Sequence, residues 1–189
     1  MADNAEAPTP VPGPFPAPPC IVVMGVSGVG KTTVARLLAE RLGLPYGEAD
    51  DFHSPASIAK MSAGIPLDDA DRLPWLAALG AWLGDRRAAG TGAVITCSAL
   101  TRRYRDVLRA SCPDAWFLHL SGSRELIAGR MAGRTGHFMP PALLDSQFAA
   151  LEPLAADEHG GVLDVGPGPE ELAAAAARLL GAVRGGAAG

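Results

Sequence analysis

A chain of 189 residues with a formal charge of −4 has the length of one compact domain and no global field that would gather nucleic acid or an anionic membrane surface. No apolar run approaches the ~18 residues that cross a bilayer, and the N-terminus lacks the basic segment and apolar core of a signal peptide, so the expected compartment is the cytoplasm. Three cysteines, Cys20, Cys97 and Cys112, have no CxxC spacing and fit neither a disulfide framework nor a zinc site. Cys20 and Cys97 sit in apolar runs and are expected as buried small hydrophobes. Arginine dominates the basic residues, with only Lys31 and Lys60 as lysines.

Residues 1–19 are Pro- and Ala-rich and predict an extended or disordered tail, with the domain running from 20 to 184 and a flexible end at 185–189. "CIVVMGV" (Cys20–Val26) is a short continuous apolar run, as expected of a strand buried on both faces. "KTTVARLLAERLG" places Val34, Leu37, Leu38 and Leu42 at helical spacing, with Gly43 as a natural stop. "LPYGEAD" predicts a second short strand ending in acids. "SPASIAKMSAG" predicts a helix with Ser54 as N-cap and Pro55 at its first position. A longer amphipathic helix follows in "DRLPWLAALGAWLGDRRAAG", then a third buried strand in "GAVITCSAL" and a helix in "TRRYRDVLRASC". "AWFLHLSG" predicts the fourth strand, "SRELIAGRMAGR" and "PALLDSQFAALEPL" two helices, "GVLDVGP" the fifth strand and "PEELAAAAARLLGAV" the closing helix. Strands alternating with helices imply an α/β fold: a parallel sheet covered on both faces.

The first strand runs into "GVSGVGKT", which matches G-x-x-x-x-G-K-[ST] at Gly25, Gly30, Lys31 and Thr32. Glycines let such a loop turn tightly and aim its N–H groups inward, and the N-terminus of the following helix adds partial positive charge. Gly25, Val26, Ser27, Gly28, Val29, Gly30, Lys31, Thr32 and Thr33 are therefore the expected nucleotide-binding stretch. Lys31 is expected to reach the β- and γ-phosphates of ATP, and the Thr32 hydroxyl to ligate Mg²⁺. Motors and switches with this loop carry an apolar strand ending in Asp to hold the metal. Here the third strand ends "ITCSAL" with no acid, which points to a small-molecule kinase. Glu48, Asp50 and Asp51 lie at the end of the second strand, where open parallel sheets bind ligands. A carboxylate there can hold metal-bound water, for which Glu48 is the candidate. Another, Asp50, can accept a hydrogen bond from the hydroxyl to be phosphorylated.

The segment "EADDFHSPASIAKMSAGIPLDDADRLPWL" (Glu48–Leu76) resembles the gluconate kinases. The resemblance is carried by Asp50, Asp51, His53, Lys60, Met61, Gly64, Pro66, Leu67, Asp69, Asp71, Arg72, Pro74, Trp75 and Leu76. It continues in "CSALTRRYRDVLR" (Cys97–Arg109) and in "GRMAGRTGHFMPPALLDSQFAALE" (Gly129–Glu152), and with the phosphate loop it covers Cys20 to about Leu180. Glu48 departs from it, standing where the family often has Asp. The resemblance implies a three-layer α/β/α P-loop kinase fold related to the shikimate kinases, with a five-stranded parallel sheet and a helical lid at about 124–141. It implies ATP-dependent phosphorylation of D-gluconate at its 6-hydroxyl, giving 6-phospho-D-gluconate for the pentose phosphate and Entner–Doudoroff routes. A homodimer is common among such enzymes.

Gluconate is a linear polyol with a carboxylate remote from the reacting hydroxyl, so its site needs a cation and several polar groups. An arginine fork can bind both carboxylate oxygens, and Arg72 and then Arg105 are the candidates. His53 is a plausible hydroxyl contact, and Lys60 either touches substrate or holds a nearby carboxylate. Arg130 and Arg134, four residues apart on one helical face, are placed to meet the transferring phosphoryl group or the adenine when a lid closes, with His137 beside them. Two other readings stand alongside: a kinase of another small acid such as shikimate, and a nucleotide-binding regulator without catalysis. A shikimate kinase is expected to show a Gly-Gly-Gly turn where this chain has "CSAL". Retention of Lys31, Thr32, Asp50 and both lid arginines argues against the regulator.

Overall fold

Apolar segments too short to be helices pair edge to edge in a computed structural model of the chain, which describes residues 18–132 and 141–185. The strands are β1 (Cys20–Met24), β2 (Tyr46–Gly47), β3 (Ala93–Thr96), β4 (Trp116–Ser121) and β5 (Gly160–Asp164). They form one sheet in the order β2-β3-β1-β4-β5, and every pairing is parallel. The ladder begins one residue before β1, since the Pro19 carbonyl accepts from the Ala93 N–H at 2.9 Å.

Side-chain alternation along β1 divides the core into two layers. Ile21 and Val23 pack with Val34, Ala35 and Leu38 of α1 (Lys31–Leu42) and with Leu172, Ala173, Ala176 and Leu180 of α7 (Pro169–Gly185). Cys20, Val22 and Met24 pack on the other side with Leu76, Leu79 and Leu83 of α3 (Asp69–Ala88) and Leu108 of α4 (Arg102–Ser111). The result is the expected three-layer arrangement. All three cysteines are free and buried. The remaining helices are α2 (Pro55–Ser62), α5 (Arg124–Ala132) and α6 (Pro141–Ala150). No helix among the described residues is long and apolar enough to cross a membrane.

Two elements differ from the sequence expectation. The second strand pairs over only two residues, because the chain coils after Glu48 into a single-turn 3₁₀ helix, Ala49–Phe52, with Asp50 and Asp51 in its first turn. Helix α3 starts at Asp69 rather than Asp71, because Asp68 and Asp71 form a capping box that satisfies the exposed N–H groups of the first turn. The expected start of α2 holds, with the Ser54 hydroxyl accepting from the Ser57 N–H at 3.1 Å.

The order of strands fixes where a ligand can bind. From β1 the chain fills the β3–β2 side and then crosses to β4 and β5. This leaves a crevice at the C-terminal end of β1, where the order reverses.

Candidate active site

The loop from Gly25 to Gly30 fills that crevice. Gly25, Gly28 and Gly30 have φ of 137°, 81° and 101°, a region costly for residues with a Cβ. At Gly25 a Cβ would also lie 2.6 Å from the Leu120 carbonyl oxygen of β4, so the loop can pass there only without a side chain. The Gly25 N–H donates to the Ser98 carbonyl, anchoring the loop to the turn after β3. Helix α1 starts at Lys31, and the N–H groups of its first turn have no carbonyl behind them in the helix. Thr32 and Thr33 are exposed there.

Lys31 folds back on the loop, and its Nζ donates to the carbonyls of Gly25 and Val26 at 3.0 Å each. Desolvation pulls its pKa down to about 8, against the opposing influence of Cys97, Asp50 and Glu48. Below that value the lysine is charged both folded and unfolded, and the full desolvation penalty weighs on the fold. Between about 8 and the ordinary lysine value of 10.5 the unfolded chain binds more protons, so stability rises with pH across that window. A polyphosphate beside Nζ favours the ammonium form. Nucleotide binding near pH 8 is therefore expected to take up about half a proton, read as a difference in binding enthalpy between buffers of unequal ionisation enthalpy. Uptake indistinguishable from zero contradicts this placement of Lys31.

The acids sit where β2 ends. Glu48 accepts from the Thr96 hydroxyl at the end of β3 and from the Tyr46 hydroxyl, so its carboxylate is fixed between two strands. Asp50 lies two residues on, its carboxylate largely exposed and close enough to act on the Lys31 charge. The His53 imidazole stacks on Trp75 with ring centroids 4.5 Å apart and planes at 9°. Its Nε2 faces Asp50 Oδ1 at 4.0 Å, and its buried Nδ1 has no partner. Burial lowers the His53 pKa against the pull of Asp50, which keeps the ring neutral at pH 7. Trp75 also donates from Nε1 to the Ala49 carbonyl at 2.8 Å, so α3 pins the 3₁₀ turn that carries Asp50.

Between this turn, the start of α2 and α3 lies a cavity of about 230 Å³, lined by Phe52, Ser54, Ser57, Asp71 and Trp75 among others. Lys60 reaches it indirectly: its Nζ donates to both oxygens of Asp71 at 2.7 Å. Of its two expected roles, the structure displays the carboxylate-holding one. Arg72, half-buried, lies over the Tyr104 ring at 5.9 Å and donates from Nη1 to the Tyr104 hydroxyl at 3.2 Å. That hydroxyl donates in turn to Asp69 at 2.7 Å. Tyr104 is the guanidinium's one hydrogen-bond partner among the described residues, which leaves most of the Arg72 fork open to a ligand.

Arg105 is corrected. Its side chain is 0% exposed, and Nε and Nη2 grip the Glu158 carboxylate at 2.7 and 2.8 Å. The remaining donors go to the carbonyls of Ala99, Leu100, Glu152 and Pro153. With every donor spent inside the fold, Arg105 is not a substrate ligand. It supports the turn after β3, where Ala99 holds a strained φ of 42° and Ser98 anchors the phosphate loop.

Arg130 of α5 donates from Nη2 to the Val165 carbonyl at 2.5 Å, so in this structure its guanidinium rests on the end of β5 rather than on the phosphate loop. Arg134 and His137 lie outside the described residues. Sequence reasoning missed the other half of the loop's environment. Ser27, expected to bind nucleotide, has its N–H donated to Gln147 Oε1 of α6 at 2.7 Å, and Gln147 Nε2 donates to Ser27 Oγ at 3.0 Å.

Among the described residues no group of three His, Cys, Asp or Glu side chains could hold a metal unaided. Mg²⁺ binds through phosphates and water with one or two protein oxygens rather than in a protein cage. The Thr32 hydroxyl and the fixed Glu48 carboxylate are oxygen donors of the required kind.

A parallel sheet in this order, a glycine loop closing on a half-buried lysine and an acid at the end of the second strand define a P-loop kinase fold. The comparisons narrow this. No protein-family model matches the chain. It is 53% identical over 141 residues to the gluconokinase of Gluconobacter oxydans, covering 75% of this chain and 79% of that one. A crystal structure of a sugar kinase from Janibacter is 55% identical with a TM-score of 0.80, over 86% of this chain and 94% of that one. A gluconokinase structure from Sinorhizobium meliloti is 45% identical with a TM-score of 0.72, over 86% and 96%. The chain belongs to the gluconokinase family.

Proposed function

We propose that this chain transfers the γ-phosphoryl group of ATP to the 6-hydroxyl of D-gluconate. Family membership carries the reading, and the site supports it: a phosphate loop follows β1, an exposed Asp50 follows β2, and Arg72 follows Asp71, which lines a cavity of about 230 Å³. The loop N–H groups and Lys31 hold the phosphates. Thr32 directly, and Glu48 through water, would hold Mg²⁺, which would neutralise charge developing on the phosphate oxygens. Arg72 takes the gluconate carboxylate, the anchor most distant from the reacting hydroxyl.

Asp50 accepts the proton of the 6-hydroxyl as its oxygen bonds to the γ-phosphorus. The bond from that phosphorus to the bridging oxygen breaks, and ADP leaves with the electron pair. His53, neutral and held flat by Trp75, orients Asp50 and contacts the sugar chain. Lys60 keeps Asp71 ionised at the cavity wall, since its hydrogen bond is the leading cause of the lowered Asp71 pKa. Closure of the segment at about 124–141 brings Arg130, Arg134 and His137 over the phosphates and excludes water, which competes with the sugar hydroxyl. Arg130 must leave the Val165 carbonyl to do so. Action in the cytoplasm, where ATP is supplied, and assembly as a homodimer belong to the same proposal.

ADP release with ATP and Mg²⁺ across a panel of gluconate, shikimate and no acceptor tests it. Gluconate-dependent release well above both others is expected. Release driven by shikimate, or none with any acceptor despite ATP binding, overturns it.

A further inference from the structure

The mechanism above leaves Gln147 without a role, although its carboxamide makes two hydrogen bonds to the phosphate loop. Oε1 accepts from the Ser27 N–H at 2.7 Å and Nε2 donates to the Ser27 hydroxyl at 3.0 Å, so both polar groups of one loop residue meet both ends of one side chain. The contact spans 120 residues of sequence and is partly buried. Next to it, Met131 of α5 presses on Gly28, where an added Cβ would lie 2.5 Å from Met131 Cγ. The corner Ser27–Gly28 is thus covered by the two helices that flank residues 133–140. Most loop N–H groups must point inward to meet phosphate. The Ser27 N–H is satisfied from α6 instead, an arrangement that fixes the plane of the Ser27 peptide and with it the direction of the N–H groups that follow.

We propose that Gln147 is a positioning residue for phosphoryl transfer, holding the Ser27–Gly28 corner so that the loop N–H groups stay aligned on the transferring phosphoryl group. It acts through Ser27 and touches no reacting atom. The inference rests on the phosphoryl-transfer reading, but not on the identity of the acceptor. Misalignment at the phosphoryl group costs more in the transition state than in nucleotide binding, because charge shifts among the phosphate oxygens only there.

Gln147→Leu keeps the size of the side chain and removes both hydrogen bonds. It is expected to lower kcat roughly tenfold while KM for ATP stays within about threefold. Ser27→Ala removes one arm and has a smaller effect. The double variant Ser27→Ala, Gln147→Leu is expected to match Gln147→Leu within about twofold, because the hydroxyl has already lost its partner. Unchanged kcat in Gln147→Leu, with or without a lower melting temperature, overturns the proposal, as do effects that multiply in the double variant. If Gln147→Leu does not fold, Gln147→Met reads the same quantities. Slow ATP hydrolysis without acceptor, measured alongside, separates this inference from the choice of gluconate. A parallel loss in hydrolysis upholds Gln147 even where gluconate fails as substrate, and hydrolysis equal to wild type rejects it.

Discussion

Asp50→Asn is expected to lower kcat by about 10²–10⁴ while leaving ATP binding in place. The substitution keeps the shape of the side chain and removes its capacity to take a proton. Asp50 has the attributes this requires: it sits at the C-terminal end of β2, its carboxylate is exposed to an incoming hydroxyl, and it lies close enough to Lys31 to raise that lysine's pKa. The 3₁₀ turn carrying it is pinned by Trp75 and capped by no side chain of its own. The Trp75 anchor does not involve the Asp50 carboxylate, so the fold should survive the change. Initial rates at saturating gluconate, paired with nucleotide titration, make the measurement. Turnover near wild type would remove Asp50 from the chemistry.

Arg105→Met is expected to act on a different quantity. The change leaves the Glu158 carboxylate, itself 0% exposed, buried with only Arg109 at 4.0 Å as a neighbouring cation, which costs about 3–5 kcal/mol. For a domain of this size the melting temperature should fall by roughly 10 °C. Adding Glu158→Leu should recover most of the loss, because an apolar pair of similar volume needs no desolvation. Arg72→Met should do the reverse, leaving the melting temperature in place and raising KM for gluconate about 10- to 100-fold through loss of a charged hydrogen-bonded anchor. A normal melting temperature in Arg105→Met, or an unchanged gluconate KM in Arg72→Met, would contradict the assignment of these two arginines.

The contrast between them shows what a linear sequence carries. The phosphate loop was legible because its glycines, lysine and threonine are contiguous and bracketed by a buried strand and a helix. Ser54 was legible as a cap for the same reason, since its partner is three residues away. Arg105 was not. A clue existed in its spacing, because Arg105 and Leu108 share the buried face of α4, a place where an arginine needs a carboxylate. The carboxylate is Glu158, 53 residues on, and nothing local names it. Gln147 and Ser27 are separated by 120 residues, and only the packing of α6 brings them together. The second strand is present but shorter than its pattern suggests, for the opposite reason. Its local pattern suits a strand, but pairing stops at Gly47 and the acids are presented by a 3₁₀ turn instead.

Phosphorus–proton correlation spectra of the product formed from ATP, Mg²⁺ and D-gluconate test the central claim most directly. A single phosphate coupled to the two protons on C6, formed in step with ADP, is the predicted result. A phosphate on any other carbon, or ADP released with inorganic phosphate alone, would contradict the account.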